Sequence, residues 1–406
     1  MSDTSRGFIS AVVTALIVAG ASPALAQKVT TIEDLTLEQT LVQLTNLGPR
    51  PTGEAIALTT AIEIATSPFG TSSGGFVFKL DPSTGLLART STTFGPSFTE
   101  RALTAGEGKL SMGATFSATT YDKISDFSLD RLPLVSVSAA SAAASRTGTG
   151  NLHLSSKTLA ISGMLGVTEK LDVGVVVPVV SLKLEGTSAL IADNGDQVRL
   201  AETAGTFSGL GDVAAMAKFR FVKFKGPDLP DPGGVALLVN MRLPTGDRDN
   251  LRGLGIYRTM IAGVVSFGKG KLRPHGSAGF EYWSKPLHVS TGTDTLSVRN
   301  HIQYAGGVEV EAHPKLTLLV DFLGQHIRSG SQVDLVTDTF GANPQGISSI
   351  QSMAALGEGI RKALLVPGLK LNVKGKMLVS LNAIVTLHNN GLHSKVTPVV
   401  GINLTL

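Results

Sequence analysis

The chain has 406 residues, 46 of them Gly, with a charged fraction of 16%, a formal charge of +4 and no Cys. That length suits two ordinary domains or one large barrel. The lack of Cys excludes a disulfide framework and a thiolate metal site. The positive excess is spread without a Lys/Arg block, so nucleic acid is not an expected partner.

The first residues, 1–7, are polar, with Arg6 as their only basic side chain. FISAVVTALIVA (8–19) follows, an apolar run too short to span a membrane as a helix. It leads into ASPALAQ, where Ala24-Leu25-Ala26 fits the small-x-small cleavage rule. A secretory signal peptide over 1–26 is expected. No later run has the length and apolarity of a spanning helix, which leaves a periplasmic, extracellular or outer-membrane protein. IEDLTLEQTLVQL (32–44) and AIALTTAIEIA (55–65) carry helical spacing, and GGFVFKLDPSTGLLART (74–90) reads as a hairpin. Residues 27–108 are therefore expected to form a plug or hatch. The alternative adds the 74–94 hairpin to a sheet wall.

From 109 onward, long alternating segments recur. KLSMGATFSATTY (109–121) sets Leu110, Met112, Ala114 and Phe116 against Ser111, Thr115 and Ser117. NLHLSSKTLAISGML (151–165) shifts its apolar phase near Ser156, which suggests a bulge. LDVGVVVPVVSLKL (171–184) alternates weakly because both faces are apolar, whereas GDVAAMAKFRFVK (211–223), VALLVNMRLP (235–244), IYRTMIAGVVSF (256–267) and LRPHGSAGFEYWS (272–284) alternate clearly. LSVRNHIQYAGGVEVEA (296–312) puts Leu296, Val298, Ile302, Tyr304, Val308 and Val310 on one face, and Arg299, His301, Gln303, Glu309 and Glu311 on the other. KLTLLVDFLGQHI (315–327), a segment near 354–373, KMLVSLNAIVTL (376–387) and SKVTPVVGINLTL (394–406) complete the series.

These make about twelve strands, most exceeding the roughly 9–11 residues a tilted strand needs to cross a bilayer. Long connections (122–150, 185–210, 246–255, 285–295, 328–353, with the shorter 388–393 last) mostly alternate with short ones (VTEK, GKG, HP, KG, with KGPDLPDPGG somewhat longer). That sorting is the pattern of an outer-membrane barrel. The expected fold is all-β: a transmembrane antiparallel up-and-down barrel of about twelve strands, fourteen if the hairpin joins the wall. It occupies 109–406 behind the plug, with its charged face lining a lumen. The long connections would lie outside the cell, and both chain ends in the periplasm.

SSGGFVFKLDPSTG (72–85), FGPSFTERALTAGEGKLSMG (94–113), GLGDVAAMAKFRF (209–221), RLPTGD (242–247) and GLHSKVTPVVGINLTL (391–406) stand in that order. Together they resemble the phenol-degradation meta-pathway outer-membrane transporter family over about residues 60–406, and that family is distantly like the long-chain fatty-acid outer-membrane transporters. The resemblance implies a bacterial outer-membrane channel associated with the breakdown of aromatic or other hydrophobic compounds. Its expected partners are outer-membrane lipid, a small-molecule solute and, during biogenesis, the barrel-assembly machinery. The chain ends in Leu406 where such barrels usually end in an aromatic residue.

No P-loop, HExxH or GxSxG motif occurs, and the eight His are scattered, so neither an enzyme, a cofactor nor a metal is expected. His275-Gly276-Ser277 has the spacing of the outer-membrane phospholipase pair, but Leu272, Ala278, Phe280 and Tyr282 claim the lipid face and turn His275 and Ser277 inward. A lipid hydrolase and a sealed structural barrel remain the alternatives to a passive channel for small organic, aromatic or anionic compounds. Hairpin pairing predicts a lumen row, Arg242–Arg258–Glu281–Arg299, with Arg220 and His301 also lining the pore. Such a row would either contact solute or stiffen the wall. Glu100 and Arg101 are expected to pin the plug.

Overall fold

The computed structural model describes residues 29–47, 50–70, 78–80, 87–89, 91–138, 141–191, 196–226, 231–329, 332–339, 349–373 and 375–406. The expected signal peptide lies outside them. Twelve strands form the wall: β1 (Leu110–Thr120), β2 (Ser141–Gly166), β3 (Leu171–Ile191), β4 (Ala214–Lys223), β5 (Gly233–Arg242), β6 (Arg258–Phe267), β7 (Leu272–Trp283), β8 (Thr295–His313), β9 (Leu316–Arg328), β10 (Arg361–Asn372), β11 (Met377–Thr386) and β12 (Val396–Thr405). Each is antiparallel to its neighbours in chain order, and β12 closes onto β1 from Val399↔Ser117 to Thr405↔Ser111. Closure leaves the wall no unpaired edge, the condition for a sheet to sit in lipid.

Every wall strand turns large apolar side chains outward. Phe116, Ile161, Phe219, Leu237, Ile261, Tyr304 and Ile402 are all exposed. The resulting belt far exceeds the few-hundred Å² apolar patch of a soluble monomer. Polar and charged residues alternate inward, among them Lys218, Arg258, Glu281, Glu309 and Asp321, all buried. Apolar outside with polar inside identifies an outer-membrane barrel, its short turns toward the periplasm.

β2 and β3 run for 26 and 21 residues, beyond any membrane span. Above the membrane they pair with Leu132–Ser138 and Gln197–Leu210. The connections expected at 122–150 and 185–210 are thus largely an external sheet. β2 carries no bulge at Ser156: its pairings with β1 and β3 run without a register break. Leu152 and Leu154 face inward, buried, while Leu159 and Ile161 face outward on the opposite parity. The apolar phase changes because the oily side changes, from the covered mouth above the membrane to lipid within it. β8 makes the same switch by the other route. Its even positions stay apolar, but a register shift between Arg299 and His301, with Asn300 at φ 38°, reverses the faces.

Two helices precede the wall. α1 (Leu37–Thr45) opens on a capping box between Thr36 and Gln39. α2 (Thr52–Thr66) is buried on nearly every side, as an apolar helix inside a protein should be. A Cβ at Gly53 would collide with the Val42 backbone, so Gly there lets the helices meet. α2 starts at loop level, where the Thr52 hydroxyl donates to Met353 O at 2.7 Å and Arg50 pairs with Asp338. It descends until Ala65 O meets the outer ends of β5 and β6. The largest apolar cluster joins Leu41, Leu44, Ile56 and Ile62 to Leu152, Leu182 and Leu184 of the external sheet. Residues 91–105 then cross the periplasmic half of the lumen before joining β1. The helices and this crossing stretch together form the plug.

Among the described residues, Phe78–Leu80 and Leu87–Arg89 pair only with each other, so the wall stays at twelve strands and the fourteen-strand alternative fails. Leu406 N–H donates to Leu110 O at the periplasmic rim. Thr30–Ile32, in contrast, pairs in parallel with Ala201–Thr203 of the external sheet. The expectation that both ends face the periplasm fails for the first described residues, which lie on the outer side. The apolar cluster at the mouth holds α1 and the strand before it on the outer side.

Candidate functional site

The lumen holds two polar layers. In the outer layer, Arg242 and Arg258 stand directly opposite each other on β5 and β6. Arg258 Nη2 lies 3.2 Å from Asp212 Oδ2, and its Nη1 lies 3.5 Å from Glu281 Oε1. Glu281 Oε1 also accepts from Trp283 Nε1 at 2.9 Å and lies 3.4 Å from His301 Nδ1. The end of α2 is set into this layer. Ala65 O accepts from Arg258 Nη2 at 3.1 Å and from Arg242 Nη1, and Thr66 O accepts from Gln325 Nε2 at 3.2 Å. Lys362 pairs with Glu63 and donates to Thr66 Oγ1 at 2.8 Å. Cations at a helix C-terminus satisfy its last carbonyls and its dipole. Phe69 lies beneath, its ring centroid 4.8 Å from Arg242 Cζ.

The periplasmic layer holds residues 91–105. Asp321 accepts from Ser97 N–H at 3.3 Å, Phe98 N–H at 3.2 Å and the Thr99 hydroxyl at 3.3 Å. Its other neighbour is His275 Nε2 at 3.0 Å. Gly307 leaves room for that pair, because a Cβ there would strike Asp321 Oδ1. Lys218 joins Glu100 at 3.2 Å and Asp172 at 3.7 Å, and Asp172 accepts from Ala105 N–H at 3.1 Å. Arg101 lies 4.0 Å from Glu309, and Lys370 Nζ donates to Pro96 O at 2.5 Å. Glu100 and Arg101 thus pin the plug.

Of the row expected from the sequence, Arg242, Arg258 and Glu281 come together, but Arg299 does not. The shift at Asn300 turns Arg299 to the exposed side and sets His301 opposite Glu281. Arg220 lies at the periplasmic rim, where it holds Asp231 of the following turn at 2.5 and 2.6 Å. His275 spends its ring nitrogens on Asp321 and on Arg273 O at 3.3 Å, both inside the lumen, so it serves Ser277 neither as base nor toward lipid.

Sequence reasoning missed three members of the outer layer. Trp283 stands two residues after Glu281, so strand parity already placed it on the same face. Lys362 and Phe69 carried no such signal, since their roles depend on where α2 ends.

At the outer mouth, α1 and α2 border a groove of about 110 Å³, lined by Leu58, Leu251, Leu254, Leu287 and Val289 with Glu38, Glu54 and Arg248 at its polar edge.

No family model matches the chain, and no curated protein does. Among solved structures it is similar to an outer membrane channel from Pseudomonas putida F1, at 11% identity over 75% of this chain and 98% of that one, TM-score 0.45. It is also similar to the toluene transporter of Ralstonia pickettii, at 12% identity over 74% and 90%, TM-score 0.34. A third is a Pseudomonas aeruginosa FadL homologue, at 11% identity over 84% and 98%, TM-score 0.32.

Proposed function

We propose that this protein is a passive outer-membrane channel for uptake of small organic compounds, closed at rest by its plug. The observation that supports this most is the composition of the closure. A barrel sealed for structure alone would fill its lumen with wall side chains. Here a separate segment fills it, and α2 ends on exchangeable hydrogen bonds from Arg242, Arg258 and Gln325. The apolar groove beside α2 offers an entry for a solute with an apolar body. The chain has no nucleotide-binding motif, so solute would follow its gradient. In this reading residues 1–26 direct export, 27–108 are the plug and 109–406 the barrel, inserted by the assembly machinery.

Planar-bilayer recording of the full-length protein tests it. Discrete conductance steps are expected, made more frequent when Glu100→Gln frees the Lys218 contact. A silent wild type together with a silent Glu100→Gln variant would establish the sealed barrel instead.

A further inference from the structure

Resting on the channel reading above, we propose that Arg242 and Arg258 form the binding site for a small aromatic carboxylate, and that Ala65 to Phe69 occupies it as an internal stand-in. Three observations converge. Ala65 O accepts from both guanidinium groups, as a carboxylate oxygen would. The Phe69 ring lies 4.8 Å from Arg242 Cζ and packs on Ala160, Val176 and Ala214 of the lumen wall. That is an apolar slot under a cation, suited to an aromatic ring. Finally, Arg242 makes no direct ion pair. Arg258 has Asp212 at 3.2 Å and Glu281 at 3.5 Å, while no carboxylate among the described residues reaches ion-pairing distance of Arg242. The buried Arg258 Nε likewise has no hydrogen-bond partner among them.

The chemistry gives an order of preference. A carboxylate would replace one neutral carbonyl oxygen by two charged ones, and charge-assisted hydrogen bonds are roughly twice as strong as neutral ones. Paired planar forks match a carboxylate better than a point charge does. A neutral aromatic compound fills the slot but leaves Arg242 without a direct ion pair. An aliphatic acid answers the cations but leaves the slot unfilled. Only the combination outcompetes the stand-in, so arrival of solute and departure of the α2 terminus become one exchange.

The chain's one Trp reports on this site. Trp283 donates to the Glu281 oxygen that lies 3.5 Å from Arg258. Its emission in the full-length detergent-solubilised protein is titrated with benzoate, benzyl alcohol and acetate. Benzoate should give a saturable change, with the other two at least about tenfold weaker. Arg242→Gln should weaken benzoate about tenfold or more. Phe69→Leu, which keeps apolar volume but removes the ring, should tighten it, because the competitor is weaker. Equal response to all three compounds, indifference to Arg242→Gln, or weaker binding by Phe69→Leu would overturn the inference. Bilayer recording separates it from the channel reading. Conductance without a benzoate response defeats only the site, whereas a benzoate response without conductance sustains the site and defeats the channel.

Discussion

The two polar layers of the lumen are built from the same residue types and differ in how their charges are answered. In the periplasmic layer, Lys218 faces two carboxylates, Asp321 meets three donors and a His, and Arg220 grips Asp231. The stretch 91–105 is tied to the wall by groups that would be stranded if it left. Stranding a buried charge is costly. In the outer layer, the plug offers carbonyl oxygens and a ring to an Arg pair, contacts a solute can reproduce, beside a single ion pair among the described residues, Glu63 with Lys362. The periplasmic layer holds the plug mainly by charge and the outer layer mainly by neutral contacts, so under the proposed function the plug is expected to move at its outer end while remaining attached below.

Removing an anchor should have the largest effect. Asp321→Ala leaves three donors and a buried His unanswered and should cost about 3–5 kcal/mol. The temperature at which the folded gel band converts to the unfolded one should fall sharply, and bilayer current should become persistent. An unchanged conversion temperature would mean the layers do not differ as described. The wall provides the reference scale. Leu237→Arg, on the lipid face, should cost roughly 2–4 kcal/mol near the midplane, whereas Asn240→Gln on the lumen face of the same strand should leave the conversion temperature nearly unchanged.

A smaller effect on stability but a clear one on selectivity is expected in the outer layer. Under a salt gradient the wild type should show a reversal potential of anion preference. Arg242→Gln should reduce it, while Arg299→Gln should not, because Arg299 lies on the exposed side of the Asn300 shift. Equal effects from the two variants would restore the continuous row expected from alternation alone.

The smallest effect belongs to the outer loops. The Arg50 hydrogen bond and charge hold the Asp338 carboxyl below its usual range, and Asp338 in turn raises Arg50. Because the folded value is depressed, this pair contributes in full above the unfolded carboxylate pKa of roughly 3.9 and fades as pH falls through the lower folded value. Hydrogen-exchange protection in residues 50–66, taken relative to the intrinsic rate at each pH, should be alike at about pH 7 and about pH 5 and fall only below that window. High salt should mute the difference. Loss of protection already between neutral pH and about 5 would point to another group.

Much of the architecture was legible in the chain. Alternation in 109–121, 235–244 and 256–267 marked β1, β5 and β6 with their correct faces, because lipid on one side and a polar lumen on the other impose period two on the sequence. The helical spacing at 32–44 and 55–65 foretold α1 and α2. The candidate site was only half legible. Arg242, Arg258 and Glu281 followed from hairpin pairing, but Phe69, Ala65 and Lys362 join them through contacts between segments far apart in the chain, which no local period records.

The sequence by itself determined about twelve wall strands, with fourteen left open, their order and which side meets lipid, since each of these is written locally as alternation, turn length and outward apolar residues. Tertiary structure alone decided where each strand leaves the membrane. The apolar phase change in β2 turned out to be a change of surroundings on an unbroken strand, whereas unbroken alternation in β8 concealed a shift at Asn300. A pattern of apolar residues records only that a side chain avoids water. Lipid and a packed plug satisfy that equally, and only the folded chain tells which of the two a residue meets.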